Sequence, residues 1–126
     1  MRVASRTVFD FVRADGATAP VDTELVYTGE DPFAVSMHFH AGDAAATWIM
    51  GRDLLRDGLS RPSGKGDVRV RPSGRAVVLE LVSSRHTTVL RVPLATLREF
   101  LDAAYCLVPA GSERFDADAF LSTVLR

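Results

Sequence analysis

Four apolar residues, Phe33, Val35, Met37 and Phe39, alternate with Ala34, Ser36, His38 and His40. This period of two most restricts what the chain can fold into. Side chains two residues apart share a face only in an extended strand, so one face of this segment belongs to a core and the other is at least partly wet. The same period recurs upstream. Val3, Ser5, Thr7, Phe9 and Phe11 alternate with Arg2, Arg6, Val8, Asp10 and Val12, and Val21, Thr23, Leu25 and Tyr27 share a side away from Asp22 and Glu24. Asp15-Gly16 with Pro20, and the cluster from Thr28 to Pro32, supply the turns. Ala41-Gly42-Asp43 reads as a hairpin turn and Thr47 to Met50 as a fourth strand, so the first four strands are expected to form an antiparallel meander.

Helical spacing then interrupts the sheet. Arg52 to Gly58 reads as a short helix with Leu54, Leu55 and Leu59 inward, Gly58 as its C-terminal cap and Pro62 as its stop. Ser63-Gly64-Lys65-Gly66 reads as a flexible turn. It lacks the GxxxxGK[ST] pattern, and a helix replaces the strand that should precede a phosphate loop. Strands resume at Asp67 to Arg71, Val77 to Val82 and Thr87 to Val92. The nearly unbroken Val77-Val78-Leu79 predicts burial on both faces. Leu94, Leu97, Leu101 and Ala104 recur at helical spacing and predict a helix to about Leu107, with Pro93 in its first turn. Asp116 is placed to cap a terminal helix bearing an apolar stripe of Phe120, Leu121, Val124 and Leu125. The expected class is therefore α+β, a twisted antiparallel sheet of about seven strands with a short middle helix and C-terminal helices.

The chain has 126 residues, 47% hydrophobic and 25% charged, which suits one globular domain and not disorder. So many apolar faces exceed what one compact core covers, and self-association is expected. The terminal stripe either docks on its own subunit or forms part of an oligomer interface. The single Cys106 can form no intrachain disulfide, and no charged-then-apolar leader precedes the first strand, which together point to the cytosol. No apolar run approaches the roughly 20 residues that span a bilayer, so no direct membrane insertion is expected.

Catalytic patterns are missing from the sequence: it has no GxSxG elbow and no paired-carboxylate motif, and no local signature places a His beside Cys106. His38 and His40 share a strand face at a spacing that can present two imidazoles to one metal ion, with His86 as a third. No acidic residue or cysteine sits at a matching local spacing, and a solvated pair is the plainer reading. No catalytic residue, metal or cofactor is therefore assigned.

A net charge of −1 hides a polarised distribution. Arg52 to Arg75 holds seven basic residues against three acidic ones, whereas Met1 to Asp31 holds three basic against six acidic. A basic segment can follow a phosphate backbone. It has no aromatic stacking platform, however, since Trp48 lies just before it in an apolar context, and protein contact is favoured over nucleic acid. Arg52, Arg56, Arg61 and Lys65, on the short helix and its loop, are the candidate contact residues.

DPFAVSMHFHAG (Asp31 to Gly42), WIMGRDLLRDGL (Trp48 to Leu59) and RPSGKGDVRVRP (Arg61 to Pro72) occur in order. Together with Val92-Pro93-Leu94, Phe100-Leu101 and Val108 to Glu113, they resemble the SsgA-like proteins of sporulating actinomycetes. The resemblance covers nearly the whole chain, as a single SsgA-like domain over residues 1–126. It implies a non-enzymatic scaffold or localisation factor at the division septum, one branch of the family recruiting the tubulin-like GTPase FtsZ and another helping to place that branch. It also implies a fold like that of Whirly and guide-RNA-binding proteins, assembled as a trimer. Those related folds keep a single-stranded nucleic-acid-binding module as the alternative, although fold analogy alone is a weak guide to activity.

Overall fold

The computed structural model of the protein describes residues 1–84 and 86–114. In chain order it contains β1 (Arg2–Val12), β2 (Thr18–Thr28), β3 (Ala34–Ala41), β4 (Ala44–Gly51), α1 (Arg52–Gly58), β5 (Val68–Ser73), β6 (Ala76–Ser83), β7 (His86–Pro93) and α2 (Leu94–Leu107). The seven strands form one sheet in the order β4-β3-β2-β1-β7-β6-β5. All pairings are antiparallel. The meander β1 to β4 and the unit β5 to β7 meet along a narrow seam, Asp10 to Val12 against Val89 to Arg91.

The connection between β4 and β5 dictates the curvature. These strands are opposite edges of the sheet, which laid flat would stand roughly 29 Å apart at the usual strand spacing. The seven residues of α1 span only about 10 Å, yet α1 packs against β5 and continues directly from β4. The sheet therefore curls, and α2 fills the inner side against β1, β7, β2 and β6.

The alternation predicts the inner face correctly. Phe9, Leu25, Tyr27, Val35 and Met37 are fully buried, as are Val77, Leu79 and Val92. They meet Leu97, Phe100, Leu101 and Ala104 of α2 in one core, with the Phe9 and Phe39 rings tilted at 56° and 6.1 Å between centroids. Trp48 is half-buried against that core. Val78, on the other face, is also buried, as the run Val77-Val78-Leu79 predicts.

Four local expectations change. Phe33 precedes β3 instead of opening it and is 53% exposed, because its segment turns at Asp31 to Ala34. β4 begins at Ala44, three residues early for its propensity, since Ala41 and Ala44 pair across the turn in which Gly42 takes a φ of +59°. Gly58 is the last helical residue and Leu59 the cap. What it supplies is the absence of a side chain, because a Cβ there would collide with Val70 Cγ1. The loop after Pro62 is pinned: Ser63 and Val70 exchange N–H···O bonds of 2.8 and 2.9 Å.

The terminal helix expected from Asp116, with Phe120, Leu121, Val124 and Leu125, lies outside the described residues. Among the described residues, no helix is long and apolar enough to cross a membrane.

Candidate partner-binding surface

Helix α1 has an inner and an outer face, and the i, i+3 spacing of Arg52, Leu55 and Gly58 lies inward. Arg52 is accordingly buried, at 1% exposure, and the expectation that it belongs to a contact surface is corrected. Arg52 is instead the point where four parts of the chain meet. Its Nη1 donates to the Tyr27 hydroxyl at 2.9 Å, to the Ala104 carbonyl at 3.2 Å and to the Val108 carbonyl at 2.7 Å. Its Nη2 donates to Glu113 Oε1 at 2.7 Å. The Tyr27 hydroxyl in turn donates a hydrogen bond to the Pro32 carbonyl at 2.9 Å. The guanidinium carbon lies 3.9 Å from the centroid of the Tyr105 ring and 5.0 Å from that of Tyr27, so both ring faces attract the cation.

This arrangement compensates for a feature of α2. That helix has no basic residue in its last turn, so that, apart from the Val108 N–H on the Ala104 carbonyl at 3.0 Å, the negative end of its dipole has no local partner. Arg52 supplies the cation from another helix. Glu113 then neutralises it: its second oxygen accepts the Gly111 N–H at 2.8 Å, in a turn where Gly111 has a φ of +84°. The Glu113 carboxyl is held below the usual carboxylate range by its own backbone N–H first, then by Arg52 and Gly111, against an opposing push from desolvation. Burial is the largest influence on Tyr27, raising its hydroxyl pKa against the nearby guanidinium. Tyr105 is pushed up to about 12 by burial and by its 2.6 Å hydrogen bond to Asp53.

The outer face carries the remaining candidates. Arg56 is half-exposed and lies 3.6 Å from Asp53 and 3.3 Å from Asp57, while Arg61 is exposed and 3.8 Å from Asp57. Lys65 is exposed in the pinned loop. Arg56, Arg61 and Lys65 are thus solvent-accessible on α1 and the segment that follows it. Such pairs in water add little stability. Sequence reasoning missed the roles of Glu113, Tyr27 and Tyr105. It missed the burial of Arg52 by weighing its charge above its position one helical turn from Leu55.

On the outer side of the sheet, His38 and His40 stand across from Glu24 and Asp22, and His38 Nδ1 lies 2.9 Å from Thr47 Oγ1. Among the described residues, no group of three or more His, Cys, Asp or Glu side chains is arranged to hold a metal ion.

Comparison with known proteins fits this geometry to a family. The family model for "Streptomyces sporulation and cell division protein, SsgA" matches residues 21–113. The sporulation-specific cell division protein SsgB of Streptomyces coelicolor is 41% identical over 116 residues, covering 86% of this chain and 85% of that protein. SsgB of Kineococcus radiotolerans is 38% identical, over 87% and 72% of the two chains. Among solved structures, an SsgA-like sporulation-specific cell division protein from Thermobifida fusca superposes with a TM-score of 0.86 at 33% identity, over 99% of this chain and 95% of that one. A structure from work correlating mutations in SsgB with longitudinal cell division during sporulation of Streptomyces coelicolor gives 0.85 at 36% identity, over 90% and 93%.

Proposed function

The chain belongs to the SsgA family of sporulation and cell division proteins, and from that membership we propose that it is a non-enzymatic scaffold for septum formation. In this reading it recruits the tubulin-like GTPase FtsZ, directly or through a sister protein of the family, on the cytoplasmic side of the septum. The observation that carries the reading is the rigid mounting of α1. Arg52 is tied into the core and Gly58 abuts Val70. Ser63 bonds across to β5, so that Arg56, Arg61 and Lys65 are presented without freedom to collapse. A preorganised surface loses little entropy on docking. Trimerisation would set three such surfaces against a polymer of repeating subunits, and avidity would exceed the single-site affinity by about a hundredfold or more where geometry permits.

Co-sedimentation with GTP-assembled FtsZ polymers tests this, with a single-stranded oligonucleotide binding assay at the same salt. The unsubstituted protein is expected to pellet with polymers, alone or once a sister protein is added, and to leave the oligonucleotide unbound. The triple variant Arg56→Glu, Arg61→Glu, Lys65→Glu is expected to remain in the supernatant. Undiminished pelleting of that variant discards the surface. Failure of the unsubstituted chain to pellet under both conditions discards recruitment, and oligonucleotide binding in its place favours the nucleic-acid alternative. Arg52 is left intact in the test because its reversal would break the interior.

A further inference from the structure

The two edges of the sheet differ in their chemistry. At the β5 edge, Ser63 already pairs with Val70, Pro72 has no N–H to offer, and Arg69 and Arg71 project from the strand. This edge is blocked by the devices that ordinarily prevent strand addition. At the other edge, β4 reads AAATWIMG, eight residues with no charge and no proline, and among the described residues only β3 pairs with it. Its residues from Ala44 to Thr47 and Ile49 are exposed, Ile49 at 64%.

The register shows which backbone groups are open. Arg52 donates its N–H to the Phe33 carbonyl. Counting back by twos along the antiparallel ladder, Met50, Trp48, Ala46 and Ala44 turn their N–H and C=O towards β3. Ala45, Thr47 and Ile49 turn theirs outward.

We infer that the β4 edge is an interaction surface whose occupant is β4 of a second copy of this chain, paired antiparallel about a two-fold axis through Thr47. The open groups match the hydrogen-bonding pattern of an extended backbone. A head-to-tail contact of β4 on β5 is barred by the blocked β5 edge, so the pairing is isologous and closes at two copies. Centred on Thr47, it joins Thr47 to its own counterpart and sets the bulky Ile49 opposite the small Ala45 of the other copy, with about six ladder hydrogen bonds. No like charges meet, because the strand has none. The inference is independent of the FtsZ reading and of whether the basic unit is one chain or a trimer, since edge pairing doubles either.

Sedimentation velocity on three samples tests it: the unsubstituted protein, Thr47→Lys, and an equimolar mixture of Thr47→Lys with Thr47→Glu. Thr47 is exposed, so the substitutions spare the core. Thr47→Lys places two ammonium groups opposite each other, and its particle mass is expected to fall to half that of the unsubstituted protein. The mixture is expected to restore the full mass, because Lys and Glu then face each other. An unchanged mass in Thr47→Lys overturns the proposal, as it would if another segment of the chain or a foreign strand occupied this edge. A mixture that stays at the lower mass overturns it too.

Discussion

Arg52 and Glu113 stand 61 residues apart in the chain and 2.7 Å apart in space. Between them they tie the start of α1 to the segment that follows α2. The pair is shielded, with side-chain exposures of 1% and 10%, and the arginine also serves the last carbonyls of α2. Its removal would leave the Val108 carbonyl and one oxygen of the Glu113 carboxylate without their donor, while the Ala104 carbonyl would keep the Val108 N–H and the other Glu113 oxygen the Gly111 N–H.

Arg52→Leu is therefore expected to lower the free energy of unfolding by about 3–5 kcal/mol, the usual effect of breaking a buried pair from one side. Arg52→Lys should restore only part of it, since one ammonium cannot reach acceptors that a planar fork reaches on two nitrogens. Urea unfolding of the three proteins checks this. A midpoint for Arg52→Leu equal to that of the parent would show that the cluster contributes nothing net.

The depressed pKa of Glu113 gives the pair a pH dependence. Its folded value lies below the 4.5 of an ordinary glutamate, so its contribution is complete above 4.5 and is lost as pH falls through the folded value. The gap in melting temperature between the parent and Glu113→Gln should be constant near neutrality and shrink on acidification below about pH 4.5. A gap that does not change with pH refutes the assignment.

Tyr105 has the opposite sign. Burial first, and the bond to Asp53 second, raise its hydroxyl from 10.0 to about 12. The stability that goes with its neutral form is intact below 10.0 and is lost as pH rises through about 12. Absorbance titration of the parent against Tyr105→Phe should remove a tyrosinate transition near 12, leaving that of Tyr27, which also ionises above 10.0. A Tyr105 transition at 10.0 would contradict the structure.

Gly58→Ala is expected to cost about 1–3 kcal/mol by overpacking, since its methyl meets Val70, itself 1% exposed. The two positions should be coupled. In a Val70→Ala background the added cost of Gly58→Ala should be smaller, measured as the interaction energy of a double-mutant cycle. Additive effects would place the clash elsewhere.

Much of this was legible in residue order because strand faces and helix stripes are local patterns. Val35, Met37 and Phe39 reveal their face through a period of two. Leu97, Phe100, Leu101 and Ala104 reveal theirs through helical spacing, and the seven strands and two described helices follow from such patterns. Arg56, Arg61 and Lys65 were accessible to the same reasoning, being polar residues on an outward face and in a loop. The blocks from Asp31 to Pro72 pointed to the family through their order and spacing.

The sequence by itself determined which segments extend, which coil and which side of each avoids water, because backbone geometry translates spacing directly into faces. Only the tertiary structure decided that β4 and β5 become opposite edges of a curled sheet, that Gly58 lies against Val70 and that Arg52 is interior. Those outcomes depend on contacts between residues far apart in the chain. Arg52 shows the reason: an isolated arginine favours water, and burial becomes tolerable only when Tyr27, Ala104, Val108 and Glu113 arrive together to accept hydrogen bonds from its two terminal nitrogens. No local pattern carries that coincidence.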